Sequence, residues 1–176
     1  MRPESSLVDG SRLPQVPQHC AGGEQSLALT ADGAVWSWGY GGYGQLGHGD
    51  EQQQLLLPKK VEAFTGQRVV AVSAGYAHNI ALTADGAVWS WGDGEDGTLG
   101  HGDEQMQLLP KKVEALAGQR VVAVLAGAYH SFARTADGAV FTWGAESGCL
   151  GHGEDLSNQV LPKKIEAWAP GSGAVV

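Results

Sequence analysis

Between Gly66 and Ala115 the chain changes hydrophobic rhythm every few residues, and each rhythm predicts an extended segment. Arg68-Val69-Val70-Ala71-Val72-Ser73-Ala74 is apolar and β-branched for nearly its whole length, as expected of a strand buried on both faces. Gly75 and Tyr76 interrupt it, and a second strand is predicted from His78 to Thr83. Ala84-Asp85-Gly86 then predicts a hairpin turn, because Asp and Gly both tolerate positive φ. Ala87-Val88-Trp89-Ser90-Trp91 alternates, placing Trp89 and Trp91 on one face and Val88 and Ser90 on the other. Gly92 opens a glycine-rich loop without periodicity. Pro110 begins a fourth extended piece, Lys111-Lys112-Val113-Glu114-Ala115, whose proline and lysines suit an outer edge. No window carries helical spacing over a useful length.

The same pattern occurs three times. Leu-Thr-Ala-Asp-Gly-Ala-Val-Trp-Ser-Trp-Gly stands at Leu29–Gly39 and Leu82–Gly92, and a close variant at Arg134–Gly144, with starts 53 and 52 residues apart. Gly44–Glu51 returns as Gly97–Glu104 and Gly148–Asp155, and Leu57–Ala63 returns as Leu109–Ala115 and Leu161–Ala167. A repeat near fifty residues makes the repeat the folding unit. Four short strands in each of three units predict an all-β chain of β-propeller blades, each of four antiparallel strands, forming a partial propeller. The blades are expected at about 16–65, 66–117 and 118–167, after an N-terminal segment, 1–15, expected to lack regular structure. Residues 168–176 read as the start of a further strand.

Closed propellers have about four to eight blades, so three leave two faces bare. The expectation is completion by self-association into a homo-oligomer or by further blades in a longer chain. In the first unit Leu13–Cys20 carries prolines where later units have apolar strands, so its first strand is expected to be missing. Val175 and Val176 of a neighbouring copy are the proposed replacement.

Composition narrows the function. A net charge of −8 across 176 residues disfavours nucleic acid and anionic membranes as partners of the bulk surface. The 27 glycines recur at fixed places beside Trp, His and Asp, as short strands and tight turns require. Two cysteines at non-equivalent repeat positions suggest neither a disulfide framework nor a zinc site. Without a visible secretory signal or membrane-length apolar run, the expected setting is intracellular, cytoplasmic or nuclear.

Ala-Leu-Thr-Ala-Asp-Gly-Ala-Val-Trp-Ser-Trp-Gly, then Gly-x-Leu-Gly-His-Gly, the proline before Val-Glu-Ala, and Val-Val-Ala-Val-Ser-Ala-Gly-Tyr-Ala-His together resemble the regulator-of-chromosome-condensation repeat family. The resemblance runs from about Val16 to the C-terminus and implies blades of a seven-bladed propeller. Its members include a nucleotide-exchange factor for a small GTPase, domains of HECT-type ubiquitin ligases, a plant UV-B photoreceptor and bacterial β-lactamase inhibitors. The photoreceptor's Trp and Arg are replaced here by Tyr76 and Ala77, with Ala128-Tyr129 in the next unit, which speaks against that photochemistry. No insertion matches the exchange factor's projecting wedge.

His48, His101 and His152 occupy equivalent loop positions, and a shared metal is the weaker alternative to a structural role. His78 and His130, with Gln25 at the matching position, read as hydrogen-bonding residues at the start of the second strand. Trp36, Trp38, Trp89, Trp91 and Trp143 read as core between blades. No nucleophile–base constellation or phosphate-cradling motif occurs, so neither catalysis nor a cofactor is expected. The loop after Trp-Gly is what varies, which makes Tyr40, Tyr43, Asp93, Glu95, Asp96 and Glu146 the candidate partner-binding residues. The expected function is a non-catalytic protein–protein interaction module, with a fragment of a guanine-nucleotide exchange factor as the alternative.

Overall fold

The computed structural model describes residues 18–51, 53–145 and 148–166. It contains three four-stranded antiparallel sheets, each a blade with its strands in chain order. Blade 1 holds β1 (Gln18–Ala21), β2 (Gln25–Leu29), β3 (Val35–Tyr40) and β4 (Gln54–Lys60). Blade 2 holds β5 (Val69–Ala74), β6 (His78–Thr83), β7 (Val88–Gly92) and β8 (Gln107–Lys112). Blade 3 holds β9 (Val121–Ala126), β10 (His130–Thr135), β11 (Val140–Gly144) and β12 (Gln159–Lys164). The first strands adjoin one another across blades, β1 beside β5 and β5 beside β9.

The Ala-Asp-Gly turn is held by chemistry as well as conformation. Gly86 alone takes positive φ (85°), and its N–H donates to Thr83 O, a type I turn closed by a left-handed glycine. Thr83 Oγ1 donates to Asp85 Oδ1 at 2.5 Å, and the same bond recurs from Thr30 to Asp32 and from Thr135 to Asp137. That hydroxyl holds each carboxyl below its usual range.

The core lies between blades, not within them. One face of blade 1 (Leu27, Leu29, Val35, Val61, Phe64) packs on the opposing face of blade 2, formed by Val69, Val72, Ala81 and Trp91. The other face of blade 2 (Ile80, Leu82, Val88, Val113, Leu116) meets Val121, Val124, Ala133 and Trp143 of blade 3 in the same way. Strand alternation sorts each sheet into one side per neighbour.

Three expectations need correction. The first blade does not lack its first strand: Pro17 precedes β1, and Gln18–Ala21 pair with β2 in register. Gln18 also bonds the Val72 backbone in both directions, Nε2 to O at 2.9 Å and Oε1 from N at 3.2 Å. A strand supplied by a second copy therefore has no vacant place, and Val175 and Val176 lie outside the described residues. Second, the apolar run at 68–74 is not buried on both faces. A bulge at Val70 turns that side chain out, and Val122 repeats it in β9. Third, the outer strand ends at Lys112, with Pro110 inside it. Val113 leads instead into a 3₁₀ turn, Glu114–Leu116, whose Leu116 reaches the core. The register of β8 shifts opposite Ser90–Gly92, which accommodates the proline on an edge strand.

Candidate functional site

The end of the first strand, the start of the second and the end of the third all lie at one end of a blade. Antiparallel order therefore gathers the Gly-Tyr loops and the loops after Trp-Gly onto a single surface. There a cavity of about 300 Å³ spans all three blades, lined by Tyr43 from blade 1, Tyr76, His78, Asp93, Glu95, Asp96 and Thr98 from blade 2, and Tyr129 from blade 3.

The tyrosines are the exposed element. Tyr43, Tyr76 and Tyr129 keep 46%, 51% and 53% of their surface in water, although large aromatic side chains are costly to leave so. Tyr76 and Tyr129 lie with ring centroids 5.5 Å apart, and Tyr43 packs edge-on to Tyr40 at 5.9 Å. Their backbones tie the blades together: Gly23 N donates to Tyr76 O at 3.0 Å, and Tyr76 N to Ala128 O at 3.0 Å.

The carboxylates come from one loop. Asp93 Oδ1 accepts the Glu95 N–H at 3.1 Å, and Thr98 Oγ1 donates to Asp93 O at 2.6 Å, which fixes the loop's shape. Asp96 sits in the left-handed region (φ 59°), a conformation costing about 1 kcal/mol or more outside glycine, and its Oδ1 accepts from Asn158 Nδ2 at 2.7 Å. The described ion pairs, Lys60–Glu62 and Lys163–Asp155, lie elsewhere, so no cation of the chain faces Asp93, Glu95 or Asp96 among the described residues.

The cavity floor is a buried relay between blades. His78 is buried, its Nε2 stands 3.0 Å from Ser131 Oγ, and Ser131 Oγ donates to Thr98 O at 2.9 Å. Burial pushes the His78 imidazole down to about 4, so it stands neutral at pH 7. Gln25 plays the matching part in blade 1, donating to Gly75 O at 3.2 Å.

The structure thus brings together Tyr43, Asp93, Glu95 and Asp96 of the sequence candidates, with Tyr40 behind Tyr43; Glu146 lies outside the described residues. Sequence reasoning missed Tyr76 and Tyr129 as site residues. Their signal was topological, since the Gly-Tyr-Ala-His turn shares its end of the blade with the Trp-Gly loop.

The three loop histidines are not brought together. Ser37 Oγ donates to Leu46 O, so its one proton is used and His48 Nε2–H donates to that oxygen at 3.0 Å. His101 does the same to Ser90 at 3.1 Å, and His152 to Thr142 at 3.1 Å. Each histidine locks a loop to its own blade, and among the described residues no group of His, Cys, Asp or Glu is placed to hold a metal ion.

The regulator of chromosome condensation (RCC1) repeat model matches residues 32–82, 85–134 and 137–170, and a second model of that repeat matches 18–45, 69–98 and 121–149. The chain belongs to the RCC1 repeat family. The first of those windows runs from the third strand of one blade to the second strand of the next, so the family repeat is offset from the blade. The chain is 45% identical over 152 residues to the human E3 ubiquitin-protein ligase HERC2, covering 85% of this chain and 3% of that protein. It is 40% identical over 161 residues to the ultraviolet-B receptor UVR8 of Arabidopsis thaliana, covering 91% and 36%. It therefore spans well under two thirds of either relative. Among solved structures, human WBSCR16 is similar at a TM-score of 0.78 and 29% identity, covering 90% of this chain and 39% of that one. Yeast RCC1 (Prp20), solved with Kap60 bound to it, is similar at 0.77 and 25%, covering 86% and 37%. No described helix is long and apolar enough to cross a membrane.

Proposed function

We propose that this chain is a non-catalytic protein-interaction module of the RCC1 repeat type, and that its contact surface is the tyrosine-lined cleft spanning the three blades. The observation that carries the reading is the set of three half-exposed tyrosine rings around one cavity. Interfaces are enriched in tyrosine because it offers a large contact area at little conformational cost. The stretch of HERC2 that this chain resembles is 3% of that protein, so ligase activity does not transfer with the likeness. The binding of Kap60 by yeast RCC1 (Prp20) lends the protein-partner reading support by analogy.

The arc of blades is completed by further blades, and the open faces favour blades of other sequence over a second copy. A head-to-tail copy would set Arg134 of blade 3 against His19 of blade 1. At both internal junctions those positions hold Leu29 or Leu82 against Val72 or Val124. The setting that fits a soluble interaction module of this kind is intracellular.

The test is site-specific photo-crosslinking in cells. A crosslinker at Tyr43 or Tyr129 is expected to give discrete protein adducts, whereas one at Ala117, exposed at the opposite end of the blades, is not. Equal yields from both ends overturn the cleft as the contact surface. For the exchange-factor alternative the check is nucleotide release: acceleration of release from a small GTPase by this chain would replace the present reading.

A further inference from the structure

Resting on the cleft as a contact surface, we infer what enters it: an arginine side chain presented by a basic segment of the partner. An exposed aromatic cavity is the first requirement for such a ligand. A planar guanidinium stacks on the open faces of tyrosine rings.

The second requirement is charge. Asp93, Glu95 and Asp96 line the same cavity, and their partners leave acceptor capacity unused. Asp93 commits one carboxylate oxygen to the Glu95 N–H, Asp96 commits one to Asn158, and the Glu95 carboxylate takes no hydrogen bond or ion pair among the described residues. A guanidinium supplies several donors in a rigid fork, enough for more than one of these oxygens while its plane lies on a ring. An ammonium matches the charge but not the plane, which orders arginine above lysine.

Position supplies the third argument. The cavity is lined by rings from all three blades, so a side chain inserted there enters a space that no single blade forms. The net charge of −8 adds long-range attraction for a basic segment, which speeds encounter and weakens with salt.

The experiment titrates the full chain with capped, fluorescently labelled glycine–serine peptides carrying two arginines, two lysines or two glutamates. Anisotropy gives affinity, and backbone amide shifts give location. The arginine peptide is expected to bind about tenfold or more tighter than the glutamate peptide, with lysine between them and shifts centred on Tyr43, Tyr76, Asp93–Asp96 and Tyr129. Raising salt from about 0.05 to 0.5 M is expected to weaken it several-fold. The triple variant Asp93→Asn, Glu95→Gln, Asp96→Asn preserves the loop, because each amide keeps an acceptor oxygen and Asn tolerates the left-handed conformation, yet it should lose about tenfold in affinity. Tyr76→Ala with Tyr129→Ala should lose about threefold to tenfold in affinity while far-UV circular dichroism at the assay temperature stays that of the folded parent. Equal affinity for arginine and glutamate peptides, no binding of the arginine peptide, or shifts away from the cleft would each overturn the inference. The crosslinking result judges the cleft separately, so adducts at Tyr43 without arginine preference leave the interaction reading standing and remove only the cation.

Discussion

Trp91 and Trp38 stand at the same position of successive blades, yet only Trp91 is sealed from water. Trp91 lies in the junction, among Leu27, Leu29, Val35, Val61 and Phe64 of blade 1, and its Nε1 donates to Gln45 O at 3.0 Å. Trp38 points to the side where a preceding blade would sit, and is half-buried. At the other open face Phe132 is half-buried where its counterparts Leu27 and Ile80 are sealed, and Leu125 is 58% exposed. Half of each blade's core belongs to its neighbour. The blade is thus a unit of sequence and of hydrogen bonding, but the junction is the unit of stability.

The sharpest way to break that comparison is to remove the same ring on both sides of it. Trp91→Ala or Trp143→Ala is expected to cost about 3–5 kcal/mol, as for large buried aromatics elsewhere. Trp38→Ala is expected to cost about 1–2 kcal/mol, since less of its area leaves water on folding. Urea denaturation followed by far-UV circular dichroism measures both. Equal losses would mean that the two environments do not differ energetically.

Acid separates junction from open face by a different route. His78 is held neutral at the second junction with its folded value near 4, against 6.5 for an unperturbed imidazole. As pH falls the unfolded chain takes up that proton first. The stabilisation is therefore complete above pH 6.5, declines between 6.5 and 4, and is gone below that, a loss of about 3 kcal/mol. His78→Gln, copying Gln25 of blade 1, should lessen the slope of the stability profile across that window, leaving the part due to His101, whose imidazole burial also lowers to about 4. A profile unchanged by the substitution would show that His78 is not the group responsible.

How much of this was legible beforehand follows from the same division. Hairpins, strand order and the sharing of a face by Trp89 and Trp91 are local, fixed by Asp-Gly and by alternation, and the sequence displays them. The bulges at Val70 and Val122 were hidden because a run of valines carries no alternation to break. β1 was misjudged because Pro14 and Pro17 precede the strand, whereas Gln18 secures it through the Val72 backbone of the next blade. Four of the candidate partner residues line the cleft because chain variation and exposure coincide there. Tyr76 and Tyr129 escaped because their significance lies in the neighbouring blade's ring, a relation no single repeat contains.

The smallest expected effect concerns the open faces themselves. Arg134 replaces Leu29 and Leu82 on the face that meets the next blade, and it is exposed where those leucines are buried. His19 replaces Val72 and Val124 on the complementary face, at the same pairing position, opposite Ala28 as Val72 is opposite Ala81. Stacking copies head to tail would bury a guanidinium beside an imidazole, an arrangement that costs association free energy. Arg134→Leu with His19→Val restores the pairing found at both internal junctions. Sedimentation velocity over a concentration series is expected to show the double variant associating at about tenfold lower concentration than the parent chain, equivalent to about 1.4 kcal/mol. Arg134→Leu alone should lie between them. If the double variant sediments like the parent, polarity is not what keeps the faces apart.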